Sequence, residues 1–275
     1  MDSLRERPGV WYTFSALKAN LPAAFAIVLA LSSAFAGEEA PRVALVDEEE
    51  EPDIAEMPAA PVRAADVLYG TLSRLPVEPV RIAGSLILRK RHGIVVKEVP
   101  YEIDLRWGDS PATATYRLFD AFGRPVRIFN IARHADGRFA ATVTDDAGAT
   151  NAPPALTDAV EGTDITWLDI TLSYLWWKDA ELAGADEFRG ALCDIVLVRP
   201  PEPIPGCAAM RLWVDRKRGF LRQAEQINEQ GERVRWMWVA SVGKINDRWM
   251  IRNMEVKRPG TGVMTKLHVD RLETP

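Results

Sequence analysis

A mainly β domain, built as a sandwich or barrel and carrying two helices, is the fold class this 275-residue chain predicts. Three observations predict it. Short runs rich in branched and aromatic residues recur from residue 80 to residue 271, split by turn residues at roughly the 8–12-residue spacing of all-β folds. Only two stretches repeat their apolar residues at helical spacing. No helices of ten to fifteen residues alternate with the strands, which argues against a parallel α/β sheet.

In chain order, residues 1–36 read as a secretory signal peptide. Arg5, Arg7 and Lys18 precede a 16-residue apolar run, Leu21 to Ala36, that ends in the small-x-small pattern Ala34-Phe35-Ala36. A membrane-crossing helix needs roughly 20 apolar residues. Cleavage after Ala36 predicts a periplasmic protein. Residues 37–60 hold nine acids and one arginine, with five acids running together from Asp47 to Glu51. Such a segment buries too little apolar area to offset its ordering entropy, so it reads as a disordered acidic spacer. The whole-chain charge of −5, less +1 for residues 1–36 and −8 for residues 37–60, leaves +2 on residues 61–275. A folded part so close to neutral gives no electrostatic case for nucleic acid.

The first helical stretch is Val62–Leu75, with Ala64, Leu68, Leu72 and Leu75 on one stripe between Pro61 and Pro76. Strand runs follow at 80–90, 94–107, 112–119, 125–134 and 138–144. After a loop at 147–154 comes the second helical stretch, Thr166–Trp177. Thr166 and Asp169 have capping-box spacing, with Asp in place of the usual Glu. Leu168, Leu172, Leu175 and Trp176 make one apolar face; Trp167, Ile170, Tyr174 and Trp177 make another. A helix apolar on both sides must be covered on both sides, by core or by ligand. Strand runs resume at 181–188, 191–198, 208–215, 221–228, 234–241, 248–257 and 263–271. In 234–241, Trp236 and Trp238 share one face and Met237 and Val239 the other.

Catalytic signatures are absent from the sequence: there is no G-x-S-x-G, H-E-x-x-H, C-x-x-C, P-loop or G-x-G-x-x-G. His92, His134 and His268 are far apart. No catalytic residue, metal ligand or cofactor is assigned, and the chain reads as a non-enzyme. Cys193 and Cys207 flank the proline-rich link 199–206. They are compatible with a disulfide in an oxidising compartment or with two buried thiols, the latter slightly favoured.

Three strings in order resemble the LolA-like outer-membrane lipoprotein-sorting family. They are GTDITWLDITLSYLWW (Gly162–Trp177), MRLWVDRKRGFLRQAEQINEQGERVRWMWV (Met210–Val239) and INDRWMIRNMEVKRPGTGVMTKLHVDRLE (Ile245–Glu273). The resemblance covers most of residues 65–273 and makes 61–275 the sorting domain. It implies a half-open antiparallel barrel of about eleven strands, with the two helices as a lid over an apolar cavity. It also implies a monomeric periplasmic carrier for lipoprotein acyl chains or another lipid, working between an inner-membrane donor and an outer-membrane acceptor. The physics is consistent, because a soluble carrier must hide acyl chain at about 0.8 kcal/mol per CH₂. On this reading the lid residues are Leu68, Leu72, Trp167, Ile170, Tyr174, Trp176 and Trp177. The expected lining residues are Met210, Leu212, Trp236, Trp238, Trp249 and Ile251. Two alternatives share the chain's features: a lipid- or partner-binding sensor module of the envelope, and an exported hydrolase assembled from distant residues.

Overall fold

The computed structural model describes residues 63–133, 139–245 and 248–274. The apolar run, the cleavage position after Ala36 and the acidic spacer lie outside the described residues.

Strands β1 (Val80–Lys90), β2 (Val95–Arg106), β3 (Ala112–Phe119), β4 (Pro125–Arg133), β5 (Phe139–Asp145) and β6 (Thr150–Asn151) form a first meander. A second contains β7 (Asp179–Phe188), β8 (Ala191–Arg199), β9 (Ala209–Asp215), β10 (Leu221–Ile227), β11 (Arg233–Ile245), β12 (Arg248–Lys257) and β13 (Val263–Glu273). The two meanders join where β13 pairs with β1, from Arg81 opposite Glu273 to Lys90 opposite Val263. All other neighbours in the sheet are consecutive in sequence, and every pairing is antiparallel. The result is one sheet of thirteen strands with β6 and β7 as its two edges, so it is not closed. Thirteen exceeds the roughly eleven strands that the resemblance implies and is one more than the twelve runs read in the sequence, the added strand being β6. β6 has two residues and offers no alternation to read from sequence.

The seam between β1 and β13 depends on Gly84. A Cβ there would sit 1.9 Å from the His268 carbonyl oxygen and 2.8 Å from the Tyr101 hydroxyl. Tyr101 Oη donates to that same carbonyl at 2.9 Å, and the register shifts between Ala83 and Gly84. Only a residue without a side chain lets the strands approach this closely.

Alternation along each strand sends one set of side chains to a shared core. Leu86, Val99, Tyr101, Tyr116, Phe129 and Val143 come from the first meander; Val196, Leu212, Ala224, Met237, Val256 and Leu267 come from the second. One apolar cluster fed by both meanders defines an inner face of the sheet.

Two helices accompany the sheet. Helix α1 (Ala64–Leu72) is shorter than the expected 62–75. It buries Ala64 and Leu68 and packs on β7, β8 and a 3₁₀ turn at Ser173–Trp176. Helix α2 (Trp167–Thr171) has five residues, which corrects the expected continuous helix at 166–177. Leu172 adopts a left-handed conformation with φ 50°, and the 3₁₀ turn follows at once. The break resolves the two-faced apolar pattern. Trp167, Leu168, Tyr174, Leu175 and Trp177 all reach the same core, which a straight helix with two apolar faces could not arrange.

Candidate functional site

Topology dictates where the site lies. The segment 152–178 links β6 at one edge of the sheet to β7 at the other. It therefore crosses the inner face, and we call it the strap. Its rings pack into the sheet: Trp167 lies 4.4 Å from Phe129 and Trp176 lies 5.3 Å from Trp107, between ring centroids.

Polar ties hold the first part of the strap. Arg127 on β4 pairs with Glu161 at 2.8 Å, and Lys97 on β2 donates to the Glu161 carbonyl. The Asp164 amide donates to Thr265 Oγ1 on β13 at 2.9 Å. Burial raises the Asp164 carboxyl above its usual range. At the start of α2 the Asp169 carboxylate accepts the Thr166 amide at 2.9 Å, which supplies the reaching-back half of the capping box. Arg235 on β11 pairs with Asp169, and both side chains are only 4% exposed. The Arg235 guanidinium also donates to Thr166 Oγ1 at 2.7 Å and to Gln226. Such a buried pair is costly to break, because removing one partner strands the other charge.

The second part of the strap is different. Ser173 and Trp177 border a crevice with Arg133 on β4, Phe139 on β5, Leu156, and Pro201, Glu202 and Ile204 of the β8–β9 loop. Its free space is about 30 Å³, room for roughly one water. The strap's own side chains, Trp167, Leu168, Tyr174, Leu175 and Trp177, are part of the core on the inner face. Arg133 is 9% exposed. Its guanidinium lies 3.8 Å from the Trp176 ring centroid, with Trp107 and Phe139 within cation–π distance.

The expected site residues divide by face. Leu68, Trp167, Tyr174, Trp177, Met210 and Leu212 belong to the buried core, with Leu72, Ile170 and Trp176 packed against it. Trp236, Trp238 and Ile251 require a correction. On β11 it is Arg235, Met237 and Val239 that are buried, and Met237 reaches the core. On β12 the residues packed on the core are Met250, Met254 and Val256. Trp236, Trp238 and Ile251 occupy the alternate positions, which point to the outer face. There the two tryptophans stack at 6.4 Å, with Arg233 4.2 Å from the Trp236 ring. The side chain of Trp249 lies outside the described part of the structure. Cys193 and Cys207 are free thiols, the first in a small cluster with Ala191 and Trp213, the second in the main core. Burial pushes the Cys207 thiol up to about 12, where it is inert as a nucleophile.

Sequence reading identified Asp169 as the capping partner of Thr166, which the structure bears out, but missed its ion pair and missed Arg133 and Arg235. A signal for Arg133 existed: it continues the two-residue phase of Phe129 and Ile131, both buried on β4. Among the described residues, no cluster of three His, Cys, Asp or Glu side chains could hold a metal ion.

Residues 151–274 match a family model described as "-like: Uncharacterized protein". No curated protein matches the chain in sequence. Three solved structures share its fold at low identity. A domain named for outer membrane lipoprotein sorting, from Vibrio parahaemolyticus, aligns with TM-score 0.66 and 12% identity over 76% of this chain and 91% of that one. A DUF1329 family protein from Desulfovibrio piger aligns with TM-score 0.64 and 14% identity over 77% and 91%. A LolA superfamily protein from Nitrosomonas europaea aligns with TM-score 0.57 and 11% identity over 78% and 94%. In fold, this chain with its open antiparallel sheet is similar to LolA superfamily and lipoprotein-sorting domain structures.

Proposed function

We propose that this chain is a non-enzymatic carrier of the cell envelope, exported by residues 1–36, that shelters the acyl chain of a lipoprotein or another lipid on the inner face of its sheet. The observation that carries this reading is the strap. Its apolar side chains, from Trp167 to Trp177, cover an apolar face that extends across both meanders. The crevice beside Ser173 and Trp177 has only about 30 Å³ free, so an acyl chain that enters there takes the place of strap side chains. Exchange of one apolar occupant for another keeps the net cost of loading and release small, which suits a carrier that must do both. Each buried CH₂ contributes about 0.8 kcal/mol, and re-exposing strap residues offsets part of that gain. The likeness to lipoprotein-sorting and LolA superfamily structures supports the same reading.

The test is direct. The full chain is produced by export and purified without detergent, and its bound lipid is extracted and identified by mass spectrometry. Near one acyl species per chain is the expected result. A protein that carries no lipid and takes up no added fatty acid at saturating concentration refutes the reading.

A further inference from the structure

We propose that Arg133 receives an acidic headgroup, a carboxylate or a phosphate, at the end of the acyl chain this fold holds; the inference rests on the carrier reading and specifies the class of its ligand. Arg133 is the last residue of β4 and points to the inner face, opposite Phe139 of β5 in the register. Its Nε and Nη2 atoms are buried and have no hydrogen-bond partner among the described residues. Burial lowers its pKa to about 10, yet an arginine at that value remains charged at neutral pH. Among the described residues Arg133 is therefore a desolvated cation with donors unused, and a buried charge without an ionic partner is unfavourable unless something supplies one.

The surroundings fit a ligand better than an internal partner. Arg235, the other buried arginine, is fully engaged by Asp169, Thr166 and Gln226. Arg133 instead lies over rings, its guanidinium carbon 3.8 Å from the Trp176 centroid and 5.3 Å from the Phe139 centroid. Stacked rings fix the plane of a guanidinium and leave its edge, which carries the N–H groups, as the direction of binding. Arg133 borders the crevice whose other walls are Phe139, Leu156, Trp177, Pro201 and Ile204, with Ser173 and Glu202 as polar members. Glu202 is not a hydrogen-bond partner of Nε or Nη2 of Arg133. A planar fork in an apolar crevice suits a carboxylate or phosphate, which accepts two parallel hydrogen bonds. The crevice also joins the two meanders, since β4 and β5 face the β8–β9 loop across the strap. A headgroup on Arg133 would thus place the attached chain under the strap.

The experiment uses isothermal titration of the full chain with decanoate, decyl phosphate, decanol and inorganic phosphate. We expect decanoate or decyl phosphate to bind about tenfold or more tightly than decanol, as a charge-assisted hydrogen bond implies. Whichever acid binds more tightly identifies the headgroup source. In Arg133→Met the preference disappears while decanol binding stays within about a factor of two. Arg133→Lys, which keeps the charge without the fork, retains part of the preference and guards against a folding defect in the first variant. Equal affinity of the native chain for all three decyl ligands overturns the headgroup proposal and leaves the carrier reading standing. Failure of every decyl ligand to bind removes both. Inorganic phosphate binding as tightly as decyl phosphate also overturns the proposal, because the site would then take a free anion and no acyl chain.

Discussion

The two faces of the sheet are built from the same strands and have opposite chemistry. On the inner face, strands β8 to β12 present Val196, Val198, Met210, Leu212, Ala224, Met237 and Val256, all in the main core and all covered. On the outer face the same strands present Trp213, Trp236 and Trp238 among arginines and carboxylates. Arg211 and Arg233 both pair with Glu225, and Arg222 pairs with Asp215 at 2.7 Å. Tryptophan density along these strands is therefore a poor guide to which side is the inner face. A ring on an exposed face can be covered by the arms and guanidinium groups of neighbouring arginines. Moderate-sized aliphatic side chains instead fill the face that a strap must cross at close range.

If that division is right, the largest effects belong to the inner face. Asp169→Ala leaves Arg235 buried without its ion, and a loss of about 3–5 kcal/mol is expected in urea unfolding. Trp167→Ala removes a ring that is 2% exposed and packs tilted against Phe129. A similar loss of about 3–5 kcal/mol is expected. A double variant, Asp169→Leu with Arg235→Met, replaces the ion pair with apolar groups and should recover much of the first loss. A double variant no more stable than Asp169→Ala would show that the pair matters for reasons other than its stranded charge. Next in size is the outer face. Trp236→Ala should cost about 1–2 kcal/mol, the worth of one aromatic pair and of the cation–π contacts with Arg233 and Lys257. Acyl uptake should be unchanged in that variant. A weaker uptake at native-like stability would return Trp236 to the ligand and break the division between the faces.

Much of this was legible in the sequence because strand alternation and turn residues are local signals. The strand runs from 80 to 271 correspond to named strands, and the helical stripe of Ala64 and Leu68 packs as α1. What local signals cannot supply is the absolute phase of a strand. Met237 and Trp236 alternate equally well on either face, and Arg235 decides between them only through Asp169, which lies 66 positions earlier. The stop at Leu172 was hidden for a related reason. Leucine is a good helix former, so nothing local marks it as the left-handed residue that ends α2. The strap as a whole is a consequence of topology. It is visible only once β13 is known to pair with β1 and so leaves β6 and β7 as the edges.

The smallest effects are electrostatic, and they separate the faces by sign. For Asp215 on the outer face, burial disfavours the charge, but the Arg218 amide and the Arg222 guanidinium outweigh it and hold the carboxyl below its usual range. A carboxyl held low stabilises the fold above the ordinary aspartate value of 3.8, and that contribution is lost as the pH falls through the folded value. Asp164 on the inner face is shifted upward by burial, despite Arg258 and the Thr265 hydroxyl. Its folded form holds a proton more tightly than the unfolded chain does, so its contribution favours folding in acid and fades as the pH rises from 3.8 through the raised value. Urea unfolding from about pH 3 to about pH 7 should therefore give two opposite trends against the native chain. Asp215→Asn should lose ground as pH rises, because the native chain gains what the variant cannot. Asp164→Asn should gain ground over the same window, because the native chain there meets a penalty the amide never carries. Parallel trends in the two variants would show that the two faces do not differ in how they treat a charge, and that the strap does not shield the inner face from water.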